Sequence, residues 1–228
     1  MGTKAQVKAQ SSEARVFLVD DHPIVRQGLA LLIDRETDLE VCGEADGGWG
    51  VLQAISDLQP AIVVLDISLN GPDGLDLLKT IRTRDPNLPV LVLSMHDELT
   101  YAERALRAGA NGYIMKQEAT EKVLIAIRRI LHGEMYLSER LTDRMLRHFV
   151  RGSAPTPDSP LSNLSDRELE VFRLIGDGHA TRQIADELHI SVKTVESYQA
   201  HIKEKLALRS ARELVQHAIK WSVSENRA

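Results

Sequence analysis

Five short apolar runs that alternate with amphipathic stretches constrain the fold of residues 14–134 more than any other feature. The runs are RVFLVDD (15–21), LEVCGEA (39–45), AIVVLD (61–66), PVLVLS (89–94) and GYIMK (112–116). Helical periodicity is clearest in PIVRQGLALLIDR (23–35), GLDLLKTIRTR (74–84), ELTYAERALRAG (98–109) and EATEKVLIAIRRILHG (118–133). Short apolar runs bounded by turn residues indicate strands buried on both faces. Five strands interleaved with five helices predict an α/β doubly wound fold with a parallel five-stranded sheet.

Polar side chains stand where the predicted strands end. They are Asp20 and Asp21 after the first strand, Asp66 after the third, Ser94 after the fourth and Lys116 after the fifth. In a doubly wound sheet the carboxyl ends of the strands share one edge, where ligands bind. Carboxylates crowded together stay ionised only with a cation among them, and hard oxygen ligands suit Mg²⁺. A carboxylate beside Mg²⁺ can accept a phosphoryl group, whose oxygens a lysine and a serine then contact.

The segments VDDHP, LDISLNGPDG, VLSMH and GYIMK occur in the order of the signature segments of bacterial receiver domains. Residues 14–134 therefore resemble the flavodoxin-like receiver domain of two-component response regulators, which implies the strand order 2-1-3-4-5. The resemblance implies that Asp66 is the phosphoacceptor and that Ser94 and Lys116 contact the phosphoryl group. It also implies that Tyr113 is an aromatic switch, which turns inward after Ser94 is drawn to the phosphate. The Mg²⁺ ligands that it implies are Asp20, Asp21, Asp66 and the backbone carbonyl of Ser68.

The loop after the predicted phosphoacceptor departs from the family, which has Met-Pro where this chain has Leu69 and Asn70. Without the proline, the loop regains an N–H group and backbone freedom. The change therefore bears on the rate of phosphorylation and the lifetime of the phosphoryl group. Ser68 and His96 stand at positions that tune hydrolysis in the family, although a surface histidine without that role is an equal alternative for His96.

Composition divides the chain into four predicted parts. Residues 1–13 predict a disordered tail, and residues 14–134 the receiver domain. Residues 135–163 predict a linker, in which SERLTDRMLRHFV (138–150) forms a helix that can pack on either domain and RGSAPTPDSPLSN (151–163) is flexible. Residues 164–228 predict a second domain. The single cysteine, Cys42, fits a reducing cytosol, and no segment approaches the roughly 20 apolar residues of a membrane span.

The second domain contains helical patterns and no strand-like run. Ser165 with Glu168 and Ser210 with Glu213 fit capping boxes, and the N-cap candidates are Thr181 and Ser191. The helix TRQIADEL, the turn HIS and the helix VKTVESYQAHIKEKL together predict a helix-turn-helix within an all-α four-helix domain.

The second helix of this motif has two different faces at 100° per residue. Val195, Ile202 and Leu206 lie on the core face. The opposite face carries Lys193, Glu196, Ser197, Ala200 and His201, with Thr194 and Tyr198 at its flanks. Such a face fits a DNA major groove, and the candidate phosphate contacts are Lys193, Lys203, Lys205 and Arg209. Periodicity alone leaves equal room for a protein-binding module, and ten Lys and Arg against ten Asp and Glu in residues 161–228 do not separate the two.

The segments LSDRELEVFRLIGDG, QIADELHISVKTVESYQAHIKEKL and the following Arg-Glu-Leu resemble the LuxR-type four-helix DNA-binding domain. Together with the receiver, they resemble a NarL/FixJ-type response regulator. The resemblance implies that Glu196, Ser197 and Ala200 read bases and that Thr181 is a further DNA contact. A basic residue is common at the first and third of the base-reading positions, so an unusual sequence preference is expected. The last helix would dimerise through an apolar stripe formed by Leu214, Ala218 and Trp221.

These resemblances imply a cytoplasmic, phosphorylation-activated transcriptional regulator rather than an enzyme. A histidine kinase or a small phosphodonor would phosphorylate Asp66. A homodimer would then bind double-stranded promoter DNA, with RNA polymerase as a further candidate partner and no membrane involved. One alternative is a Mg²⁺-dependent phosphohydrolase, which would need an aspartate where Ser68 stands. The other is a constitutive DNA-binding regulator with a silent receiver, which Asn70 leaves open. The presence of the polar residues at the strand ends disfavours it, namely Asp20, Asp21, Asp66, Ser94 and Lys116.

Overall fold

The computed structural model describes residues 13–48, 50–69, 74–95, 98–150 and 160–225. The predictions for Asn70, for His96 and for most of the tail and the flexible linker lie outside these residues. The chain divides into two units, Met1–Arg144 and Met145–Ala228. Within the described residues, no helix is both long and apolar enough to cross a membrane.

The first unit is built on a parallel sheet of five strands in the order β2-β1-β3-β4-β5, as predicted. Its strands are β1 (Ala14–Val19), β2 (Leu39–Ala45), β3 (Ile62–Asp66), β4 (Val90–Ser94) and β5 (Gly112–Met115). Every residue of β3 and β4 is buried. Helices cover both faces of such a sheet, so its central strands must be apolar throughout, and an Asp or Ser at their ends stands out.

Five helices connect and follow these strands. They are α1 (Pro23–Ile33), α2 (Val51–Leu58), α3 (Gly74–Arg84), α4 (Glu98–Arg107) and α5 (Ala119–Leu131). Alternate strand residues such as Val64 and Leu91 pack in one apolar cluster with Ile33 of α1 and Ile127 of α5. Each such side chain contributes about 1.5–3 kcal/mol on burial. The cluster fixes the strand ends relative to one another, and hence the residues that follow them.

Arg82 of α3 fixes the loops that lead into β4 and β5. Its guanidinium donates to the carbonyl of Leu88 at 2.9 Å and to that of Gly109 at 2.6 Å. The side chain of Asn111 accepts a hydrogen bond from Arg82 and another from the N–H of Val90. These bonds satisfy backbone carbonyls that the loops would otherwise leave unpaired. They also hold the starts of the two strands that end in Ser94 and Met115.

A further helix, α6 (Glu139–Val150), forms where the sequence predicts the linker helix. Within the described residues 160–225 there are four α-helices, as predicted. They are α7 (Asp166–Gly176), α8 (Thr181–Glu187), α9 (Val192–Lys205) and α10 (Ala211–Glu225). Helices α8 and α9 form the predicted helix-turn-helix. His189 in the turn between them has a φ of 52°, the left-handed conformation that ends many helices.

The helix starts of the second unit agree with the predicted caps in part. Ser165 and Glu168 form a full capping box on α7, and Ser191 caps α9 by accepting from the N–H of Thr194. The prediction for Thr181 is wrong by one residue, because α8 is capped at Ala180, whose N–H donates to the Gln183 side chain at 2.8 Å. At α10, the N–H of Glu213 donates to Ser210, but the Glu213 carboxylate accepts from the N–H of Arg209 instead of completing the box.

Candidate functional site

The acidic residues at the carboxyl edge of the sheet lie together. Oxygen atoms of Asp20, Asp21 and Asp66 lie within 4.8 Å of one another, and a ring nitrogen of His22 belongs to the same group. Strands β1 and β3 are neighbours with Val19 opposite Leu65, so the aspartates that follow both residues reach the same edge. The backbone therefore brings three carboxylates into a pocket that is suited to a divalent cation.

Lys116 supplies the positive charge of this pocket. Its Nζ lies 2.7 Å from Asp20 Oδ2 and 2.7 Å from Asp66 Oδ2. The other carboxylate oxygen of Asp66 accepts a hydrogen bond of 2.8 Å from the N–H of Ser68. Lys116 lies one residue beyond β5, at the far side of β4 from Asp66, so its long side chain has to cross the edge of the sheet.

The protonation of the pocket follows from burial and from this ion pair. Burial raises the pKa of Asp66, and this effect exceeds the opposing effects of the Lys116 ammonium and the Ser68 N–H. Burial lowers the pKa of Lys116, but Asp66 and Asp20 outweigh it, so that pKa is raised overall. One ammonium faces three carboxylates, which leaves an excess of negative charge. A bound cation would offset this excess and favour ionised Asp66.

Ser94 and Tyr113, the other predicted receiver residues, are both buried. Leu93 of β4 pairs with Asp66, so Ser94 follows directly at the same edge of the sheet. The Tyr113 side chain on β5 is 1 % exposed. The sequence predicts that this ring turns inward after Ser94 is drawn to the phosphate, and here the ring is already buried. Its role as a switch stays a prediction.

His22 is part of the pocket and was not predicted from the sequence. Its Nδ1 lies 2.7 Å from Asp21 Oδ1, and its backbone N–H donates to Asp20 Oδ1 at 2.8 Å. The signal was available, because His22 directly follows the two aspartates. Pro23 begins α1 at the next position, and a proline at the start of a helix fixes the turn that carries His22.

The outer face of α9 carries the predicted DNA-contacting residues. The five predicted on this face are all exposed, namely Lys193, Glu196, Ser197, Ala200 and His201. Thr194 and Tyr198 are half-buried at its flanks, and Val195 and Ile202 are fully buried in the core. Thr181 at the start of α8 accepts a hydrogen bond of 3.3 Å from the Gln199 side chain. That bond ties the two helices of the motif together.

Lys205, a predicted phosphate contact, is bonded within its own domain. Its Nζ lies 2.6 Å from Glu168 Oε2, and the Glu168 side chain is nearly fully buried. Burial raises the pKa of Glu168, but hydrogen bonds from Lys205 and Ser165 outweigh it and lower that pKa overall. The ammonium of Lys205 therefore already holds α9 on α7. Lys193 is exposed on the predicted DNA-facing side, and Lys203 is half-buried.

The predicted dimerisation stripe of the last helix is wrong in its residues. Leu214 and Ala218 are fully buried, and the ring of Trp221 lies 5.8 Å from that of Phe172 in α7. A Cβ at Gly176 would meet the carbonyl oxygen of Ala218 at 2.6 Å, so α7 and α10 approach closely there. This stripe packs inside the domain. Among the described residues, the large apolar side chains of α10 that are exposed are those of Val215, Ile219 and Val223.

Two families match this chain. The response regulator receiver domain matches residues 16–128, and the luxR family of bacterial regulatory proteins matches residues 162–218. The chain belongs to the two-component response regulators that carry a LuxR-type DNA-binding domain, and it is a transcriptional regulator rather than an enzyme. A receiver domain implies a histidine kinase as partner.

Its relatives match over both domains. The chain is 37% identical to the oxygen regulatory protein NreC of Staphylococcus aureus, over 92% of this chain and 99% of NreC. RcsB of Salmonella enterica serovar Typhimurium, bound to the promoter rprA with the phosphomimetic BeF₃⁻, is 25% identical with a TM-score of 0.57, over 90% of this chain and 98% of that chain. A structure of two RcsB dimers bound to two parallel DNAs is 25% identical with a TM-score of 0.55, over 92% and 99% of the two chains.

Proposed function

We propose that Asp66 accepts a phosphoryl group from a histidine kinase and that this phosphorylation raises the affinity of the LuxR-type domain for promoter DNA. The observation that carries the proposal is the position of Asp66. Its buried carboxylate lies at the end of a central strand, 2.7 Å from the ammonium of Lys116 and beside Asp20 and Asp21. Such a carboxylate is positioned as a nucleophile for phosphoryl transfer.

The pocket also fits Mg²⁺. Its aspartate donors are hard oxygens, its charge is negative in excess, and its carboxylates are close enough to share one ion. Asp20, Asp21, Asp66 and the backbone carbonyl of Ser68 would hold the metal. Bound there, Mg²⁺ would offset the charge of the phosphoryl oxygens.

The side chains of the pocket then have separate roles in the transfer. A carboxylate oxygen of Asp66 forms the new O–P bond while the N–P bond to the kinase histidine breaks, and its electron pair returns to the histidine nitrogen. The ammonium of Lys116 stabilises the charge on the phosphoryl oxygens. The hydroxyl of Ser94 donates a hydrogen bond to one of these oxygens. Because Ser94 ends β4, this bond shifts the segment that leads to α4, with Tyr113 packing behind it, and biases a two-state equilibrium.

The exposed face of α9 would enter the major groove. Glu196, Ser197 and Ala200 would face base edges, and a glutamate there can accept from the N4 amino group of cytosine. The flanking contacts would come from Thr181, Thr194, Tyr198 and His201, and the phosphate contacts from Lys193, Lys203 and Arg209. The exposure of this face supports the proposal.

The DNA-bound form is proposed to be a homodimer that acts in the cytoplasm, with RNA polymerase as a further candidate partner. RcsB, which matches this chain over both domains, binds DNA as dimers. Val215, Ile219 and Val223 are spaced by four residues and exposed on α10, so they form an apolar stripe that a second copy would cover. Two α9 helices related by two-fold symmetry would then meet a two-fold DNA site.

Acetyl phosphate with Mg²⁺ tests the proposal on the full chain. We expect a mass increase of one phosphoryl group and an increase of about ten-fold in affinity for duplexes selected from a random-sequence library. Intact mass and fluorescence anisotropy measure the two effects. Continuous release of phosphate without a lasting adduct would instead support a phosphohydrolase. DNA binding without any adduct would support a silent receiver.

Lys193 and Lys205 form a matched pair that tests the DNA-binding face. Lys193→Gln should make the negative slope of log affinity against log salt concentration shallower by about 0.9 for each protomer, because one phosphate contact is lost. Lys205→Gln should leave this slope unchanged and lower the free energy of unfolding by about 1 kcal/mol, since the Lys205 side chain is 40% exposed and its pair is partly screened. Salt titrations and urea unfolding check both. If Lys205→Gln reduces the slope as much as Lys193→Gln does, Lys205 also contacts phosphate.

A further inference from the structure

The segment that leads from α5 to α6 lies along the outer edge of the sheet. In this segment, residues 134–138 (the strap), the N–H of Tyr136 donates to the carbonyl of Asn111 at 3.0 Å, and the carbonyl of Tyr136 accepts from the N–H of Tyr113 at 3.1 Å. A Cβ at Gly112 would meet the Tyr136 carbonyl oxygen at 2.8 Å. The glycine in β5 therefore allows the strap to pair with the strand that carries Tyr113.

Ser138 ends the strap and joins it to α4. The hydroxyl of Ser138 donates to Glu98 Oε1. As the N-cap of α6, the hydroxyl oxygen of Ser138 also accepts from the N–H of Leu141 at 3.1 Å. Glu98 is the first residue of α4 and only 8% exposed, and Leu141 is fully buried. One side chain thus begins the linker helix and ties it to α4.

The strap and Glu98 both adjoin residues of the proposed switch. Only residues 95–97 separate Glu98 from Ser94, which ends β4. The strap bonds directly to the backbone of Tyr113. A shift of Ser94 toward a phosphoryl group would move the start of α4, and Glu98 with it. The buried carboxylate of Glu98 depends on the hydrogen bond that the Ser138 hydroxyl donates to it. A movement of the start of α4 would therefore break or restore a charge-assisted hydrogen bond.

We infer that Ser138 and Glu98 are positioning residues that couple the phosphorylation switch to the linker helix. Their hydrogen bond holds the first turn of α6 against α4 in the unphosphorylated receiver, and movement of Ser94 toward phosphorylated Asp66 releases it. The release rests on the proposed function. The effect of the Ser138–Glu98 hydrogen bond on α6 in the unphosphorylated chain, called the hold on α6, does not rest on the proposed function and can be measured separately.

Ser138→Asp separates this contact from helix capping. Aspartate is as good an N-cap as serine, but it places a second carboxylate against Glu98. Hydrogen exchange of the unphosphorylated full chain should show amides in the first turn of α6 exchanging about ten-fold faster than in the wild type. Ser138→Thr, which keeps the hydroxyl, should exchange at the wild-type rate. The double variant Ser138→Asp with Glu98→Gln should return to that rate, because the glutamine amide can donate to the aspartate.

Acetyl phosphate with Mg²⁺ supplies the second half of the test. In the wild type, phosphorylation should speed exchange in the first turn of α6, whereas Ser138→Asp should show no further increase although Asp66 gains the same mass. Wild-type exchange in unphosphorylated Ser138→Asp, or failure of Glu98→Gln to restore protection, would overturn the inference. So would a phosphorylated wild type with unchanged exchange in α6. Absence of any adduct on the wild type would contradict the proposed function and the release, while the comparison of unphosphorylated variants would still decide the hold on α6.

Discussion

Asp66→Asn gains no phosphoryl mass from acetyl phosphate and Mg²⁺, and its affinity for DNA no longer responds to the phosphodonor. This result is expected because the amide of asparagine is a poor nucleophile and has no anionic oxygen to form the acyl phosphate. Asp20 and Asp21 remain, but they follow β1, which is not adjacent to the strand that ends in Ser94, and they are proposed to hold the metal. Intact mass measures the adduct, and anisotropy with a selected duplex measures the DNA response.

The same substitution should stabilise the receiver in metal-free buffer at neutral pH. Burial raises the pKa of Asp66 above its usual value of 3.8, so the folded state favours the protonated form. The stability that this protonation gives is fully present below about 3.8 and is lost as pH rises through the raised pKa. Asparagine does not titrate and escapes this loss. Urea unfolding over a pH series should therefore show that the free energy of unfolding of the variant rises relative to that of the wild type as pH increases.

Asp76→Asn is the matched control. This carboxylate lies on α3, is 66% exposed and pairs with Lys79 along the same helix. The control should accept the phosphoryl group, respond to it in DNA binding and unfold like the wild type within about 0.5 kcal/mol. An adduct on Asp66→Asn at the wild-type level would place the phosphoacceptor elsewhere and remove the basis of the proposed function.

Local patterns were enough to predict the sheet and the rim of the pocket. Strands β3 and β4 are buried on both faces, so their apolar runs end abruptly where the chain reaches the edge, and Asp66 and Ser94 mark that point. The period of an α-helix similarly places Val195 and Ile202 in the core and the polar residues of α9 outside. These features depend on neighbours along the chain, which the sequence displays directly.

Contacts between distant residues were not predictable in this way. Ser138 and Glu98 are forty positions apart, and Lys205 and Glu168 thirty-seven. The helical period predicts where Lys205 points but not that a carboxylate of α7 lies there. An apolar stripe on the last helix looks the same in sequence whether it covers its own domain or a second copy. For Trp221 the packing against Phe172 decides in favour of its own domain.

Lys116→Met should destabilise the receiver by about 3–5 kcal/mol in metal-free buffer, because it leaves the buried carboxylates of Asp20 and Asp66 without their shared ammonium. The side chains of Lys116, Asp20 and Asp66 are 4%, 3% and 0% exposed, so water cannot replace the lost ammonium. The raised pKa of Lys116 agrees with this expectation, because it means that the folded state favours the ammonium form. Its contribution to stability is fully present below the usual lysine pKa of 10.5 and is lost as pH rises through the higher folded value.

Mg²⁺ should return part of this stability and should bind Lys116→Met more tightly than it binds the wild type. In the variant no ammonium competes for the oxygens of Asp20 and Asp66, so the cation meets a larger excess of negative charge. Urea unfolding with and without Mg²⁺ and calorimetric titration measure the two effects. Lys79→Met removes an exposed ammonium from α3. It should change neither the free energy of unfolding nor the free energy of Mg²⁺ binding by more than about 0.5 kcal/mol. If Lys116→Met matches this control in metal-free stability and in Mg²⁺ affinity, the ion pairs of Lys116 do not determine the charge balance of the pocket.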